Sequence, residues 1–305
     1  MWFNINRNGR LGNRLFSRAH VYAAAIELGE TVVDWGLLDV AAYFPRVAQT
    51  KLPVYPLREG SESLSLPDSI LANRNLLAGL HLLRPRNTGC FGPFWSQHYG
   101  RGDAESMRLD SMAFRNFTKG RKFVILNGFK LRCTDWVRKH KDAICKYFEL
   151  PQSLRQKWSV LRTAWLTQYS EVIGIHMRLT DFQDASEGRY ILTASEYAGL
   201  IRERTQFDPK TTLFVIFSDE KFWNNERFRE IEIAFAGLTV YVNQGDLADD
   251  LCGLMACDRV IGSATSTFSR WAAFAADREW AGIRREFLEN RQAVEFVSSP
   301  VPWDY

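Results

Sequence analysis

The segment Glu171-Val172-Ile173-Gly174-Ile175, followed directly by His176-Met177-Arg178-Leu179-Thr180-Asp181, decides how the fold is interpreted. Its first five residues are apolar and rich in β-branched side chains, which predicts a buried strand. An arginine at the carboxyl end of a strand, in a chain of alternating strands and helices, lies where α/β proteins meet anionic ligands. Its guanidinium is always charged and fits phosphate oxygens. The segment therefore predicts a site for a phosphate-bearing substrate, with a strand-end ion pair between Arg178 and Asp181 as the structural alternative.

The second half of the chain repeats this strand–helix pattern. Strands are predicted at 171–175, 211–217, 238–242 and 259–262, and helices at 194–201, 221–235, 246–257 and 266–276. Four consecutive strand–helix units predict a parallel sheet with right-handed crossovers. The turns that follow the strands then line one edge of the sheet, where ligands bind in open α/β sheets.

The first half is less regular. Strands are predicted at 1–5, 31–34 and 123–126, and helices at 13–28 and 135–148. The segment from Ala42 to Lys119 is rich in Gly, Pro and Ser, which is typical of insertions and substrate loops. Because the Leu150-Pro151 step reads as a linker, we expect two α/β domains, residues 1–150 and 151–305.

Composition excludes several classes of protein. The 305 residues are 46% hydrophobic and 24% charged, as in soluble globular proteins, and the net charge is only +4. No lysine- and arginine-rich tract stands out, so nucleic acid is not an expected partner. Five cysteines without metal-ligand spacing predict reduced thiols and no metal site. No apolar stretch is long enough to cross a bilayer, which predicts a cytoplasmic protein or one whose anchor has been removed, and leaves peripheral membrane association open.

Two segments near turns carry candidate ligand-binding groups. Gly9-Arg10-Leu11-Gly12-Asn13-Arg14 joins the first predicted strand to the first helix. Glycines there let the backbone approach a ligand, and the helix amino terminus favours negative charge. Asn13 and Arg14 can reach a sugar hydroxyl or a phosphate, although a tight turn with a helix cap explains the motif equally well. The second segment is 176–181. There His176 can bond a ribose or a nucleobase or can act as a general acid or general base, and Asp181 can orient Arg178.

Two further segments follow predicted strands. In Ser218-Asp219-Glu220, a carboxylate can accept two hydrogen bonds from guanine, or can simply cap the next helix. The run Ser263-Ala264-Thr265-Ser266-Thr267-Phe268-Ser269 holds five small hydroxyl residues. Capping requires only one of them, so the run favours a phosphate cradle of hydroxyls and backbone N–H groups.

Together these segments resemble the fucosyltransferase superfamily, above all bacterial α-1,2-fucosyltransferases. These form a glycosyltransferase family 11-like group related to nodulation α-1,6- and protein O-fucosyltransferases. The segment 9–14 is similar to Gly-Gly-Leu-Gly-Asn-Gln, and 176–181 to His-x-Arg-Arg-x-Asp. The segment 217–220 resembles a strand end with Ser-Asp-Asp, and 266–271 resembles Ser-Thr-Phe-Ser-Trp-Trp. The motifs occur in the family order, and residues 40–120 remain unmatched.

The resemblance implies a GT-B-like fold of two facing, Rossmann-like α/β domains with parallel sheets. Residues 151–305 would bind the GDP-sugar, and residues 1–150 would form the acceptor side. The implied reaction is an inverting transfer of L-fucose from GDP-fucose to a glycan hydroxyl, with an α-1,2 linkage expected, as a step of glycan biosynthesis and carbohydrate metabolism. It requires no metal and no cofactor beyond the donor substrate.

The resemblance also implies residue roles. Arg178 would neutralise the leaving β-phosphate, as charge develops there, while His176 would hold the nucleoside and Asp219 would read guanine. Asn13 and Arg14 would lie across the cleft, near the fucose and pyrophosphate. The implied catalytic residues are Arg178, His176, Asp181 and Asn13. The implied donor-binding residues are Gly12, Asn13, Arg14, His176, Arg178, Asp219, Ser266, Thr267, Phe268 and Ser269.

Four positions depart from the family pattern. Leu179 replaces the second arginine, Glu220 the second aspartate, Arg14 the glutamine and Arg270 a tryptophan. Leu179 weakens the positive field, which Arg14 would restore from the other domain. The candidates for a general base are Asp181 and Asp184. The alternatives are a catalytically weakened glycan- or nucleotide-binding module of the same fold and a transferase for another GDP-sugar, such as GDP-mannose.

Overall fold

The chain forms two compact units, Met1–Glu149 and Leu150–Tyr305. The computed structural model describes residues 1–7, 9–50, 53–56, 89–92, 95–98, 107–122, 124–127, 131–178, 192–218, 225–284, 286–287, 294–298 and 300–301. The boundary between the units lies beside the Leu150-Pro151 step. Each unit has its own sheet and its own buried core.

The first unit is built on a mixed sheet. Its strands are β1 (Trp2–Asn4), β2 (Val32–Asp34), β3 (Val54–Tyr55), β4 (Gly89–Gly92), β5 (Trp95–His98) and β7 (Val124–Asn127), in the order β3-β2-β1-β7-β4-β5. A separate two-stranded sheet pairs β6 (Met107–Arg108) with β8 (Leu131–Arg132). The parallel arrangement that we predicted holds for β2, β1 and β7, whereas β3, β4 and β5 pair antiparallel. These three strands come from the segment 42–119, and antiparallel pairing needs no helical crossover.

The helices of the first unit are α1 (Leu11–Leu28), α2 (Met112–Thr118), α3 (Thr134–Lys139) and α4 (Lys141–Tyr147), with 3₁₀ turns at Trp35–Leu37, Ala41–Tyr43 and Val47–Gln49. The prediction of one helix over 135–148 is wrong, because the chain breaks at His140, whose φ is −107° and ψ 17°. There His140 Nε2 lies 2.6 Å from Glu27 Oε1 on α1. The contact anchors the break to the first helix.

The second unit contains the predicted parallel sheet. Its strands are β9 (Glu171–Met177), β10 (Thr212–Ser218), β11 (Thr239–Val242), β12 (Arg259–Ser263), β13 (Glu279–Ile283) and β14 (Val297–Ser298). The order is β11-β10-β9-β12-β13-β14, and only the β13–β14 pair is antiparallel. The helices are α5 (Gln152–Trp165), α6 (Ala194–Arg204), α7 (Asn225–Ala234), α8 (Leu247–Ala256) and α9 (Thr267–Ala275). The four predicted strand–helix units are confirmed, and β13 and α5 extend them.

The core of the second unit explains why β9 is so apolar. Ile173 and Ile175 are fully buried on this central strand, and each such side chain stabilises the fold by about 1.5–3 kcal/mol. Gly174 between them lets α8 approach, since a Cβ there would lie 2.9 Å from Cys257 Sγ. Cys257 therefore packs as a small apolar group, and burial raises the pKa of its thiol well above the usual value.

Each sheet has a switch point at its first parallel strand. In the second unit the chain runs from β9 to β10 and β11 on one side, then returns to β12 on the other side. In the first unit β1 lies between β2 and β7 in the same way. A crevice forms outside the carboxyl ends of the strands at such a point, and ligands bind there. The motif at 9–14 follows β1, and the motif at 176–178 lies at the carboxyl end of β9.

Candidate functional site

His176 and Arg178 lie at the carboxyl end of β9. The strand extends through Met177, so His176 is its penultimate residue and Arg178 follows it directly. His176 pairs in register with Phe217 of β10 and Gly262 of β12. Its side chain is buried, whereas Arg178 is partly exposed. The two predicted ligand-binding residues therefore flank the switch point of the second unit.

The His176 side chain joins β9 to the start of α9. Its Nδ1 lies 3.1 Å from Ser266 Oγ, and its ring lies 5.1 Å from the Phe268 ring at an angle of 39°. Tyr197 on α6 donates its hydroxyl to the His176 carbonyl oxygen at 3.4 Å. Contacts from α6 and α9 thus fix both the backbone and the ring of His176.

The hydroxyls of Ser266 and Ser269 face protein partners. Ser266 caps α9, because its Oγ accepts from the Ser269 backbone N–H at 3.5 Å. Trp280 Nε1 donates to Ser269 Oγ at 3.1 Å, and both serines are at most 1% exposed. A Cβ at Gly262 would lie 2.2 Å from Ser269 Oγ, so the strand needs glycine here. The hydroxyls of Ser266 and Ser269 are therefore directed at protein partners and not at an anion. An anion at this loop would meet the backbone N–H groups and the partly exposed Thr267.

Arg270, the departure from the family pattern, stacks on the sheet side of α9. Its guanidinium lies 4.1 Å from the centre of the Trp280 ring, in the geometry of a cation–π contact. The two residues border a cavity of about 400 Å³, which is also lined by Ala264, Gly282, Arg284, Glu286 and Phe287. The tryptophan that the family pattern places at 270 is absent, and Trp280 of β13 supplies an indole beside that position.

The glycine-containing motif of the first unit forms a turn packed against α1. Gly9 has φ +81°, which only glycine adopts readily, and a Cβ there would lie 2.8 Å from the Asn13 side chain. Helix α1 begins at Leu11, so Gly12, Asn13 and Arg14 all lie in its first turn. No acidic residue occurs in that turn, which leaves the positive end of the helix dipole for an anion.

Arg14 is held by Asp39. Its Nη1 lies 2.8 Å from each carboxylate oxygen, its Nε donates to the Gly9 carbonyl at 3.0 Å, and Arg7 Nη2 lies 3.8 Å from the same carboxylate. Partial desolvation acts to raise the pKa of Asp39, but the hydrogen bond and charge of Arg14 outweigh it and hold that pKa below its usual value. The positive field that we expected from Arg14 is therefore partly neutralised within its own unit.

A second arginine–aspartate pair lies one helical turn deeper. Arg18 and Asp34 are both 0% exposed, and Arg18 Nε and Nη2 lie 3.2 and 3.1 Å from the carboxylate. Asp34 also accepts from Asn4 Nδ2 at 2.8 Å and from the Tyr22 hydroxyl at 3.0 Å. Arg18 Nη2 further donates to the Asn6 carbonyl. The buried cluster fixes the carboxyl ends of β1 and β2, and hence the chain that enters the Gly9 turn.

This buried cluster was not predicted from the sequence, although the sequence contains signals for it. Arg18 interrupts the apolar face of α1 four residues after Arg14, and Asp34 ends an apolar strand. A charged residue inside an apolar pattern is rarely buried without a partner. Gly36 is a third signal, because a Cβ there would lie 1.9 Å from the Asn6 carbonyl oxygen and 2.0 Å from Arg18 Nη2.

The structure thus groups the predicted residues by unit. It brings His176, Ser266, Phe268 and Ser269 together in the second unit, and places Gly12, Asn13 and Arg14 in one turn of the first. Leu179, Asp181, Asp184, Asp219 and Glu220 lie outside the described residues. Their predicted roles, and the meeting of the two groups on one ligand, stay predictions.

The described residues contain neither a membrane-spanning helix nor a cluster of metal-binding side chains. None of their helices is long and apolar enough to cross a membrane. Within the same part of the chain, no group of three or more His, Cys, Asp or Glu side chains could hold a metal ion.

The fold matches solved fucosyltransferase structures at low sequence identity. Fucosyltransferase NodZ from Bradyrhizobium gives a TM-score of 0.53 at 16% identity, covering 98% of this chain and 99% of that one. NodZ α-1,6-fucosyltransferase soaked with GDP-fucose gives 0.51 at 17%, with coverages of 98% and 99%. A mutant of FUT1 from Arabidopsis thaliana in complex with GDP gives 0.57 at 14%, with coverages of 98% and 74%. At these identities the likeness shows the fold, which is the α/β, GT-B-like fold that we predicted.

The sequence comparisons supply the family. No curated protein sequence matches the chain. The model of glycosyl transferase family 11 matches residues 130–293, which is more than half of the 305 residues. This stretch includes His176, Arg178 and the loop from Ser263 to Ser269. The chain therefore belongs to glycosyltransferase family 11, in the fucosyltransferase superfamily that its motifs resemble.

Proposed function

We propose that this glycosyltransferase moves L-fucose from GDP-fucose to a glycan hydroxyl with inversion, without a metal ion, and forms an α-1,2 linkage. The observation that carries the proposal is the carboxyl end of β9. There a partly exposed arginine follows a buried histidine bonded to the Ser266 cap of α9, across the switch point of a parallel sheet. NodZ α-1,6-fucosyltransferase, which has a similar fold, was soaked with GDP-fucose, and this supports GDP-fucose as the donor.

In the proposed reaction an acceptor oxygen attacks the anomeric carbon of fucose as the bond from that carbon to the β-phosphate oxygen breaks. The acceptor proton passes to a general base, for which Asp181 and Asp184 remain the candidates, and GDP leaves with the additional negative charge. Arg178 neutralises that charge, an interaction that strengthens as the bond breaks and so lowers the barrier. A guanidinium fork fits two phosphate oxygens at once, which is why we assign this role to Arg178 and not to a metal ion.

The remaining groups bind and orient the donor. We assign Thr267 and Phe268, through their backbone N–H groups at the start of α9, to the phosphates, with Ser266 and Ser269 supporting that loop from within. His176 holds the nucleoside and Asp219 reads guanine. Gly12, Asn13 and Arg14 at the start of α1 bind the fucose and pyrophosphate end. We further propose that the enzyme is cytoplasmic and that its acceptor is a glycan.

Arg178→Ala tests the mechanism. With GDP-fucose and a glycan panel, we expect turnover to fall by at least about 10²-fold, because a preorganised group that stabilises developing charge contributes about that much. The matched control is Arg138→Ala, which removes an exposed arginine of α3 paired with Asp135 at 3.2 Å. It should leave turnover unchanged, and both variants should keep the thermal midpoint of the wild type. Near-normal turnover by Arg178→Ala would refute the role, and transfer that stops in EDTA would refute metal independence.

Two observations favour a second candidate, a nucleotide- or glycan-binding module with weakened catalysis. Leu179 removes one arginine of the family pattern, and Asp39 engages Arg14, the residue expected to compensate. A module of this kind would be stabilised thermally by GDP and would release no GDP from GDP-fucose with any acceptor. Release of GDP that depends on an acceptor excludes the module. The same assay with GDP-mannose decides between the two donor sugars.

A further inference from the structure

We propose that Ser266 is a positioning residue whose buried hydroxyl donates to Nδ1 of His176 and thereby makes His176 an Nε2–H hydrogen-bond donor to the nucleotide. The inference rests on the proposed function, because it assigns how His176 meets the donor substrate. It also changes the chemistry of the site. A histidine with its proton fixed on Nε2 binds an oxygen of the ligand and does not accept the acceptor's proton there.

The direction of the Ser266–His176 bond follows from the groups around the serine. A hydroxyl has one proton to donate and two lone pairs to accept with. Ser266 Oγ already accepts from the Ser269 N–H as the cap of α9, and Ser266 is 1% exposed, so water does not take its proton. Within the described part of the chain, the acceptor that the structure offers to this proton is His176 Nδ1, 3.1 Å away.

The opposite direction would leave a buried group unsatisfied. If Nδ1–H donated to Ser266 Oγ, the hydroxyl proton would have to find another acceptor inside the protein. The desolvation penalty of an unsatisfied buried donor is large enough to decide between two tautomers of similar intrinsic stability. We therefore infer that the Ser266 hydroxyl keeps its proton and donates it in a hydrogen bond to Nδ1, and that the ring proton is on Nε2, since a neutral imidazole carries only one.

The surroundings hold the ring as well as its tautomer. Phe268 packs against one side of the imidazole at 5.1 Å, and Tyr197 holds the His176 carbonyl oxygen. Ser269 is in turn held by Trp280 Nε1, so the cap that contains Ser266 is anchored to β13. A fixed Nε2–H at the end of β9 suits an oxygen of a ribose, a base or a phosphate, which are all acceptors.

A spectroscopic measurement reads the tautomer directly. In full-length protein labelled with ¹⁵N on its five histidines, two-bond ¹⁵N–¹H correlation identifies the His176 ring by its loss in His176→Gln. We expect the pattern of a neutral ring protonated on Nε2. A ring protonated on Nδ1, or on both nitrogens near neutral pH, would overturn the proposal even if Ser266 variants failed to fold.

Kinetics test the consequence for binding. Ser266→Ala should raise the KM for GDP-fucose about 5- to 10-fold with kcat nearly unchanged, because a hydrogen bond made equally in the ground and transition states affects KM alone. The matched control is Ser111→Ala, which removes the serine cap of α2 in the first unit. It should lower the thermal midpoint by a similar amount and leave KM unchanged. A KM for GDP-fucose that stays at the wild-type value in Ser266→Ala, or one that rises equally in both variants, would refute a specific role of Ser266.

His176→Gln separates a hydrogen-bond donor from a proton acceptor. The glutamine amide places an N–H near the Nε2 position and cannot take part in proton transfer at neutral pH. We expect kcat within a few-fold of the wild type, whereas a loss of kcat by 10²-fold or more would show acid–base chemistry and overturn the assignment. A wild type that transfers no fucose defeats the proposed function but not the tautomer, which the spectra report independently.

Discussion

The two units hold the carboxyl ends of their first strands by opposite means. In the first unit, a fully buried ion pair between Arg18 and Asp34 does so, and a second pair, Arg14 with Asp39, lies at the surface. In the second unit, neutral groups do so, through the chain of contacts from Trp280 to Ser269, Ser266 and His176. The first arrangement neutralises its arginines internally, whereas the four described residues of the second arrangement include no carboxylate that would oppose the anion that we expect there.

This difference assigns different tasks to the two motifs. The neutral contacts around His176 orient dipoles without opposing a diphosphate, which is what an anion site requires. Asp34 and Asp39 compete with an anion for the arginines of α1. The first unit's edge must therefore bind its ligand with the groups that these two carboxylates do not engage. We therefore expect stability to depend more on the first unit's edge, and donor binding more on the second unit's edge.

The largest effect is expected from the buried ion pair. Asp34→Asn should lower the free energy of unfolding by about 3–5 kcal/mol, because it leaves the Arg18 charge buried without its counter-ion. Urea denaturation at neutral pH measures the change. Asp135→Asn, which removes the partner of Arg138 on the exposed surface of α3, should change the same free energy by less than about 1 kcal/mol. Similar values for the two variants would show that the buried pair contributes no more than a surface pair.

An intermediate effect is expected from the neutral contacts. Trp280→Phe removes the donor to Ser269 Oγ and part of a side chain that is 4% exposed. We expect a loss of about 1–3 kcal/mol in the free energy of unfolding, from the missing hydrogen bond and the space left behind. We also expect a higher KM for GDP-fucose, because the loop before α9 loses its anchor to β13. If Trp280→Phe lowered the free energy of unfolding by more than Asp34→Asn does, stability would depend more on the second unit's edge, contrary to our expectation.

The smallest stability effect is expected at the outer pair. Asp39 is 45% exposed, so Asp39→Asn should change the free energy of unfolding by less than about 1 kcal/mol. Because the pKa of Asp39 is lowered in the folded protein, the pair stabilises the fold above the carboxyl's ordinary pKa of about 4, and its contribution disappears as the pH falls through the lowered value. The difference between wild type and variant should therefore shrink progressively as the pH falls below about 5. A difference that grows on acidification would contradict the assigned partner.

Most of the second unit's architecture was predictable, because its strands are apolar runs and its helices have clear caps. The exceptions have physical reasons. β13 was missed, since Glu279-Trp280-Ala281-Gly282-Ile283 mixes charged, aromatic and small residues and lacks the signature of a buried strand. α5 was missed because nearly all of its side chains contact solvent, which leaves Trp158 as its buried residue.

The candidate site was predictable in composition but not in orientation. The residues at 176, 178 and 263–269 were identified because arginine and small hydroxyls follow strands there. The sequence does not distinguish a serine whose hydroxyl binds phosphate from one whose hydroxyl bonds a histidine. The inward direction of the Ser266 and Ser269 side chains could therefore not be predicted from it. The pairing of Asp39 with Arg14 was not predicted for the same reason. In the sequence Asp39 resembles an ordinary surface residue, and only the fold places Arg14 of α1 beside it.

Gly36 has a further consequence for how this sequence can change. The space where its side chain would stand is filled by the Arg18 guanidinium and the Asn6 carbonyl oxygen. Positions 18, 34 and 36 are therefore interlocked, and a viable replacement at one of them requires compensating replacements at the others. In a saturation-mutagenesis library these three sites should be depleted of single variants, while position 39, one pair further out, should accept many.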